Sequence, residues 1–103
     1  VVLGHTSCGA VKGACDHARL GNLTALIKKI EPAVEAVKEP QDAALRTSNN
    51  LEFVNNVATK NVQMSIENIR RDSPVLAEME RNNEIMMVGA MYDVSNGSVS
   101  FDL

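Results

Sequence analysis

The chain has no tryptophan, one tyrosine and two phenylalanines in 103 residues. No aromatic cluster can organise its interior, so any core is built from Val, Leu, Ile, Ala and Met. Two cysteines, Cys8 and Cys15, are too few for a disulfide framework of the kind that staples small secreted domains. They suit a reducing compartment or metal ligation, and a cytoplasmic location is expected. No apolar stretch approaches the roughly 20 residues that span a bilayer. Val1–Leu3 is too short for the apolar region of a signal peptide. Charge is not concentrated in blocks: 10 Lys and Arg stand against 13 Asp and Glu, a net −3, and no basic run exceeds Arg70-Arg71. That balance argues against nucleic acid or an anionic membrane as a partner. Internal repeats, a P-loop, a Ser/His/Asp set and a dinucleotide-type glycine fingerprint are all missing.

Apolar residues still make up 45% of the chain, enough for one small, marginally stabilised domain over residues 1–103. Val1–Leu3, closed by Gly4, reads as the end of a strand buried on both faces. The chain lacks an initiating Met and begins inside that strand, so a fragment or processed product is expected. Small residues over Gly9–Ala18 predict a short helix, broken at Leu20-Gly21, and Asn22 is placed to cap the next one. There Leu23, Leu26, Ile27 and Ile30 recur at helical spacing until Pro32 ends or kinks the helix; Ala33, Val34 and Val37 continue a second short segment. Glu39-Pro40-Gln41-Asp42 is a loop.

Ser48-Asn49-Asn50 opens the longest helix, with a stripe at Leu51, Val54, Ala58, Val62, Ser65 or Ile66, and Ile69. Asp72-Ser73-Pro74 stops it and starts another, with Ser73 as N-cap, Pro74 at the first position and Val75, Leu76 and Met79 as the apolar face. Asn82-Asn83 ends that helix. Ile85–Met91 predicts a fully buried strand and Ser95-Asn96-Gly97 a hairpin turn. Val99 and Phe101 alternate with Ser98, Ser100 and Asp102, as on a half-exposed edge strand. The expected fold class is α/β: a parallel sheet flanked by helices with a C-terminal antiparallel edge hairpin.

The chemistry concentrates near the start. His5 and Cys8 carry the two side chains that zinc prefers, and a spacing of three lets one tight turn present both to a single ion. They follow a parallel strand and precede a helix, where open α/β sheets place active sites and where a helix start favours a metal thiolate. By itself His-x-x-Cys is weak, since a buried thiol beside a hydrogen-bonded His has the same spelling. Cys15 and His17 would complete a two-Cys, two-His set for a structural zinc module. A helix through Gly9–Ala18 instead separates Cys15 from Cys8 by roughly 10 Å along its axis, which leaves Cys15 a packed thiol and His17 a helix-end side chain. Met79, Met86, Met87 and Met91 read as core fillers, Asp93 and Asn96 as turn formers, Tyr92 as a strand end, and Asn56 and Asn61 as ordinary helix residues.

Leu3-Gly4-His5-Thr6-Ser7-Cys8-Gly9-Ala10-Val11-Lys12 resembles the second zinc motif of the β-class carbonic anhydrases. The likeness continues through Gly21-Asn22-Leu23, Ile30-Glu31-Pro32-Ala33, the helix from Asn61-Val62 to Ile69, Ser73-Pro74-Val75-Leu76, and Val88-Gly89-Ala90-Met91-Tyr92-Asp93-Val94 with Asn96-Gly97-Ser98-Val99. The resemblance implies a partial β-carbonic anhydrase domain, its C-terminal part, and zinc-dependent reversible hydration of carbon dioxide to bicarbonate. It assigns His5 and Cys8 to the metal and places Gly9 beside the substrate pocket. The family's remaining ligand is a Cys in a Cys-x-Asp-x-Arg motif that does not occur in this sequence, and Asp16 and Arg19 do not stand in for it. The chain alone is therefore expected to be inactive, and to work as a homodimer, a higher homo-oligomer or with a complementary N-terminal segment. The alternatives are a non-catalytic remnant, or the module of His5, Cys8, Cys15 and His17.

Overall fold

A computed structural model describes residues 1–103. The opening apolar run forms strand β1, Val2–His5, and after a short turn helix α1, Gly9–Cys15, begins. This helix is shorter than the predicted Gly9–Ala18 because His17 takes a left-handed φ of 52°. That residue closes the end: its N–H donates to the Ala14 carbonyl at 3.0 Å, and the Ala18 N–H donates to the Gly13 carbonyl at 2.9 Å. The paired bonds satisfy carbonyls that a helix end otherwise leaves open.

A single 3₁₀ turn, Gly21–Leu23, leads into helix α2, Thr24–Ala36. Asn22 lies within that turn and does not cap the helix; Thr24 Oγ1 instead accepts the Leu20 N–H at 3.0 Å. Pro32 neither ends nor divides α2. It faces solvent, while Ile27, Ile30, Ala33 and Val34 are buried on either side of it. Burial on the opposite face carries the helix through the missing hydrogen bond. Beyond its end the Arg46 guanidinium gathers three carbonyls, of Val34 at 2.8 Å, Val37 at 2.7 Å and Pro40 at 3.0 Å. The same group lies 4.8 Å over the centre of the Phe53 ring.

Helix α3, Leu51–Asp72, is capped by Asn50, whose Oδ1 accepts the Phe53 N–H at 3.4 Å. Its buried residues are Phe53, Val54, Val57, Ala58 and Val62. The predicted stripe holds at Val54, Ala58 and Val62, but Leu51 is exposed and Phe53 and Val57 take the core positions. Helix α4, Pro74–Arg81, starts on Ser73, whose Oγ accepts the Leu76 N–H at 3.3 Å. None of its residues is buried, contrary to the expected apolar face at Val75, Leu76 and Met79. A bidentate pair from Arg70 to Glu80, at 2.7 and 2.8 Å, ties it back to α3.

The expected buried strand over Ile85–Met91 is reduced to β2, Gly89–Tyr92, and Met86 is 80% exposed. Gly97, at φ 77°, turns the chain into β3, Val99–Ser100. Helices and one small mixed sheet make up this α/β arrangement. Its strand order is β1-β2-β3, with β1 and β2 parallel (Val2 opposite Gly89, His5 opposite Tyr92) and β3 antiparallel to β2.

Helix α3 crosses β1 and β2 so closely that side chains at Gly4 and Gly89 would clash. A Cβ at Gly4 would lie 2.7 Å from Val62 Cγ2, and one at Gly89 2.8 Å from Val62 Cγ1. Strand β1 is not buried on both faces: Leu3 is 55% exposed and His5 is also exposed. The main hydrophobic cluster lies among α1, α2 and α3 rather than against the sheet.

Candidate metal centre

His5 is the last residue of β1 and Cys8 the residue before α1, so the turn Thr6-Ser7 alone separates the two donors. Sequence dictates this much, since small residues after the strand allow the chain to reverse quickly into the helix. The turn is held from two sides. The Thr6 N–H donates to the Tyr92 carbonyl at 3.0 Å, continuing the β1–β2 ladder, and Thr6 Oγ1 accepts the Val94 N–H at 3.1 Å. The Ser7 N–H donates to Asn55 Oδ1 on α3 at 3.0 Å. Ser7 has a φ of 54°, in the left-handed region that non-glycine residues seldom occupy. The carboxyl of Asp93, below the turn, is held under the usual carboxylate range, first by hydrogen bonds from Ser95 and also by the Thr6 hydroxyl.

His5 Nδ1 lies 2.8 Å from the Thr6 carbonyl oxygen. A carbonyl only accepts, so Nδ1 carries a proton, and in the neutral ring the lone pair is then on Nε2. This is how a metal-binding imidazole is usually prepared. The Cys8 thiol is partly exposed, free of any disulfide and packed against the helical cluster. His5 and Cys8 line one hollow of about 240 Å³. Its remaining wall is largely aliphatic, including Val11, Ile30 and Val62, with Asn61 and Ser65 as polar exceptions. Gly9 starts α1, is exposed, and has nothing within 4 Å of where its Cβ would stand; it does not line the hollow.

Cys15 and His17 are not brought to this pair. Cys15 is 2% exposed inside the helical cluster, and burial, with help from the Asp16 charge, pushes its thiol up to about 11. A thiol held neutral in this way is a poor ligand. His17 points to the other end of α1, where its Nδ1 lies 3.8 Å from Glu31 Oε1. No cluster of three or more His, Cys, Asp or Glu side chains able to hold a metal exists in the chain. A larger hollow of about 640 Å³ surrounds Arg46 at the far ends of α1 and α2, but its guanidinium is already committed to backbone carbonyls.

The donors present therefore fit zinc in kind and in tautomer. In number they fall short, because a catalytic zinc takes three protein ligands. The family model described as carbonic anhydrase matches residues 1–99, nearly the whole chain. The chain belongs to the carbonic anhydrase family. Its likeness is to the β class. Among curated proteins and solved structures, none matches the chain.

Within this carbonic anhydrase chain, the sequence singles out His5 and Cys8, and the structure puts both on one hollow. The parts that sequence reading missed are Asn55, Thr6, Asn61 and Ser65. Asn55 is 48 residues from Ser7, and nothing in its local pattern distinguishes it from its neighbour Asn56. Asn61 and Ser65 stand four apart on α3, and Ser65 Oγ donates back to the Asn61 carbonyl at 2.7 Å. Helical spacing puts them on one face, but only the fold shows what that face meets. No helix is long and apolar enough to cross a membrane.

Proposed function

We propose that this chain supplies His5 and Cys8 to the zinc site of a β-class carbonic anhydrase, which interconverts carbon dioxide and bicarbonate. The observation that carries the reading is the His5 ring. Its Nδ1 is tied to the Thr6 carbonyl, which in the neutral ring leaves the lone pair on Nε2, and His5 lines the same hollow as Cys8. Bound zinc supplies a water that ionises near neutral pH. Around it, the chain's own residues have definite work. His5 and Cys8 hold the ion, and the aliphatic wall of Val11, Ile30 and Val62 excludes bulk water from one side.

Two donors do not complete the site, so the 103 residues alone do not turn over. The missing donor comes from a complementary segment bearing the family's Cys-x-Asp-x-Arg motif, which no second copy of this chain carries. The exposed apolar residues Leu3, Met86 and Phe101 support such association. Two free thiols and no disulfide agree with a reducing, cytoplasmic setting.

The test measures zinc content and carbon dioxide hydration for the chain alone and for the chain joined to a segment of the family bearing Cys-x-Asp-x-Arg. The expected result is background hydration for the chain alone. Stoichiometric zinc and hydration should then appear in the joined protein and be lost in Cys8→Ser. Hydration by the chain alone that Cys8→Ser abolishes would falsify the predicted inactivity. A joined protein that folds yet binds no zinc would favour the second reading, a non-catalytic remnant, which the lack of a three-donor cluster also supports.

A further inference from the structure

Between the two donors the backbone does something a serine does not do unaided. Ser7 holds a φ of 54°, a conformation that only surrounding contacts keep populated in a residue bearing a Cβ. The contact is one bond, from the Ser7 N–H to Asn55 Oδ1 at 3.0 Å. All other ties on the turn reach it through Thr6: its N–H to the Tyr92 carbonyl, its Oγ1 to the Val94 N–H, and its own carbonyl to His5 Nδ1. These anchor the turn to the sheet. Asn55 alone anchors it by a side chain to α3, beside the buried residue Val54.

Cys8 follows Ser7 directly and packs against the helical cluster, whereas His5 belongs to the sheet. The direction of one donor relative to the other is thus set by the Ser7 dihedral. If the bond to Asn55 is lost, Ser7 relaxes toward negative φ and turns the Thr6–Ser7 peptide, whose carbonyl holds the His5 ring.

We infer that Asn55 is a positioning residue for the His5–Cys8 pair. By accepting the Ser7 N–H it holds the left-handed residue that aims both donors at one hollow, while touching neither metal nor substrate itself. The inference rests on the proposal that the pair is a ligand pair, and extends it to a residue on another element.

The test uses the full chain and four variants: Asn55→Ala, Asn55→Asp, the double variant Asn55→Ala with Ser7→Gly, and Cys8→Ser. The first arm needs no metal. Ring nitrogen shifts of neutral His5 report the Nδ1–H tautomer, and hydrogen exchange reports the Ser7 amide. In Asn55→Ala the tautomer preference should be lost and Ser7 exchange should accelerate by about tenfold or more, with the amides of α3 unchanged. Asn55→Asp keeps an acceptor oxygen and should behave as the parent. Glycine adopts positive φ without an anchor, so the double variant should recover the tautomer.

The second arm adds Co²⁺ alone and follows the thiolate charge-transfer band. Asn55→Ala should weaken binding by about tenfold or more, and the double variant should restore it. Parent-like tautomer and exchange in Asn55→Ala would overturn the inference. So would a loss that Ser7→Gly does not reverse, because that marks general damage rather than a lost anchor. If the parent shows no band that Cys8→Ser removes, the ligand reading fails on its own, and the metal-free arm still decides whether Asn55 holds the pair. Should Asn55→Ala unfold the chain, the double variant and Asn55→Asp settle the matter.

Discussion

Helices α1, α2 and α3 enclose an eleven-residue buried cluster, from Val11 through Phe53 to Ala58, whereas the three-stranded sheet contributes Ala90 alone to the buried set. Both regions are rich in aliphatic residues. They differ in what faces them. Ile27 and Val54 meet other helices, while Leu3, Met86, Val99 and Phe101 meet solvent. Apolar character makes a residue a candidate for burial, and a facing surface decides whether burial happens. The candidate metal centre sits on the seam between the two regions. Cys8 packs against the helical cluster, and His5 ends a strand with one open face. A His–Cys pair built across that seam depends on ties such as Thr6 to Tyr92 and Ser7 to Asn55 for its geometry.

The sharpest way to break this contrast is through the two thiols, one on each side of it. A thiol reagent should modify Cys8 completely in the native protein and leave Cys15 untouched until unfolding; rapid native modification of both would show the helical cluster to be loose. Cys15 also predicts a pH dependence. Its folded pKa, about 11, lies above the ordinary value of 9.0. The neutral thiol is thus favoured in the folded state, and its stabilising contribution is full below pH 9. It is lost as pH rises from 9 toward 11. Denaturant midpoints measured across that range should fall, and Cys15→Ala should flatten the fall.

Next in size is Phe53→Ala. The ring is fully buried and stacked under Arg46, so the expected loss is about 3–5 kcal/mol in a urea or guanidinium titration. Phe101→Ala, at 59% exposure, should cost well under 1 kcal/mol by the same measurement. Equal losses would erase the distinction between the regions. Gly89→Ala probes their junction. The new methyl would meet Val62 Cγ1 at 2.8 Å and both Ile66 Cδ1 and Leu103 Cδ1 at 3.1 Å, and the strain should cost about 1–3 kcal/mol. Shortening Val62 to Ala in the same chain should return part of it. Smallest is Ser73→Ala, which removes the cap of α4 and should cost about 1 kcal/mol.

Much of the fold was legible in advance where local rules and tertiary packing agree. The run Ser48-Asn49-Asn50 and Ser73 read as helix starts, and of these Asn50 and Ser73 accept the capping bonds; the antiparallel hairpin turns at Gly97 as its dipeptide Asn96-Gly97 announces. The errors have physical causes. Pro32 reads as a helix break because its cost is local, while the burial of Ile27, Ile30, Ala33 and Val34 that offsets it belongs to the fold. Phe53 and Val57 displaced Leu51 from the expected stripe because α3 is covered by α1 and α2 on a face that periodicity alone does not orient. Ile85–Met91 looked like a buried strand because it is apolar, yet only its last part pairs.

At the site, sequence by itself determined the identities and the spacing of the two donors, His5 and Cys8, and the small residues that bring strand and helix together around them. It also determined that the rest of the family's ligand motif is not spelled in this chain. Tertiary structure alone decided that Cys15 is buried in a helical core, that His5 and Cys8 share one hollow with residues of α3, and that an asparagine 48 residues downstream accepts the N–H of the left-handed Ser7. The reason is one of range. Covalent spacing limits what neighbouring residues can reach, whereas burial and a hydrogen bond from α3 exist only once distant segments have packed.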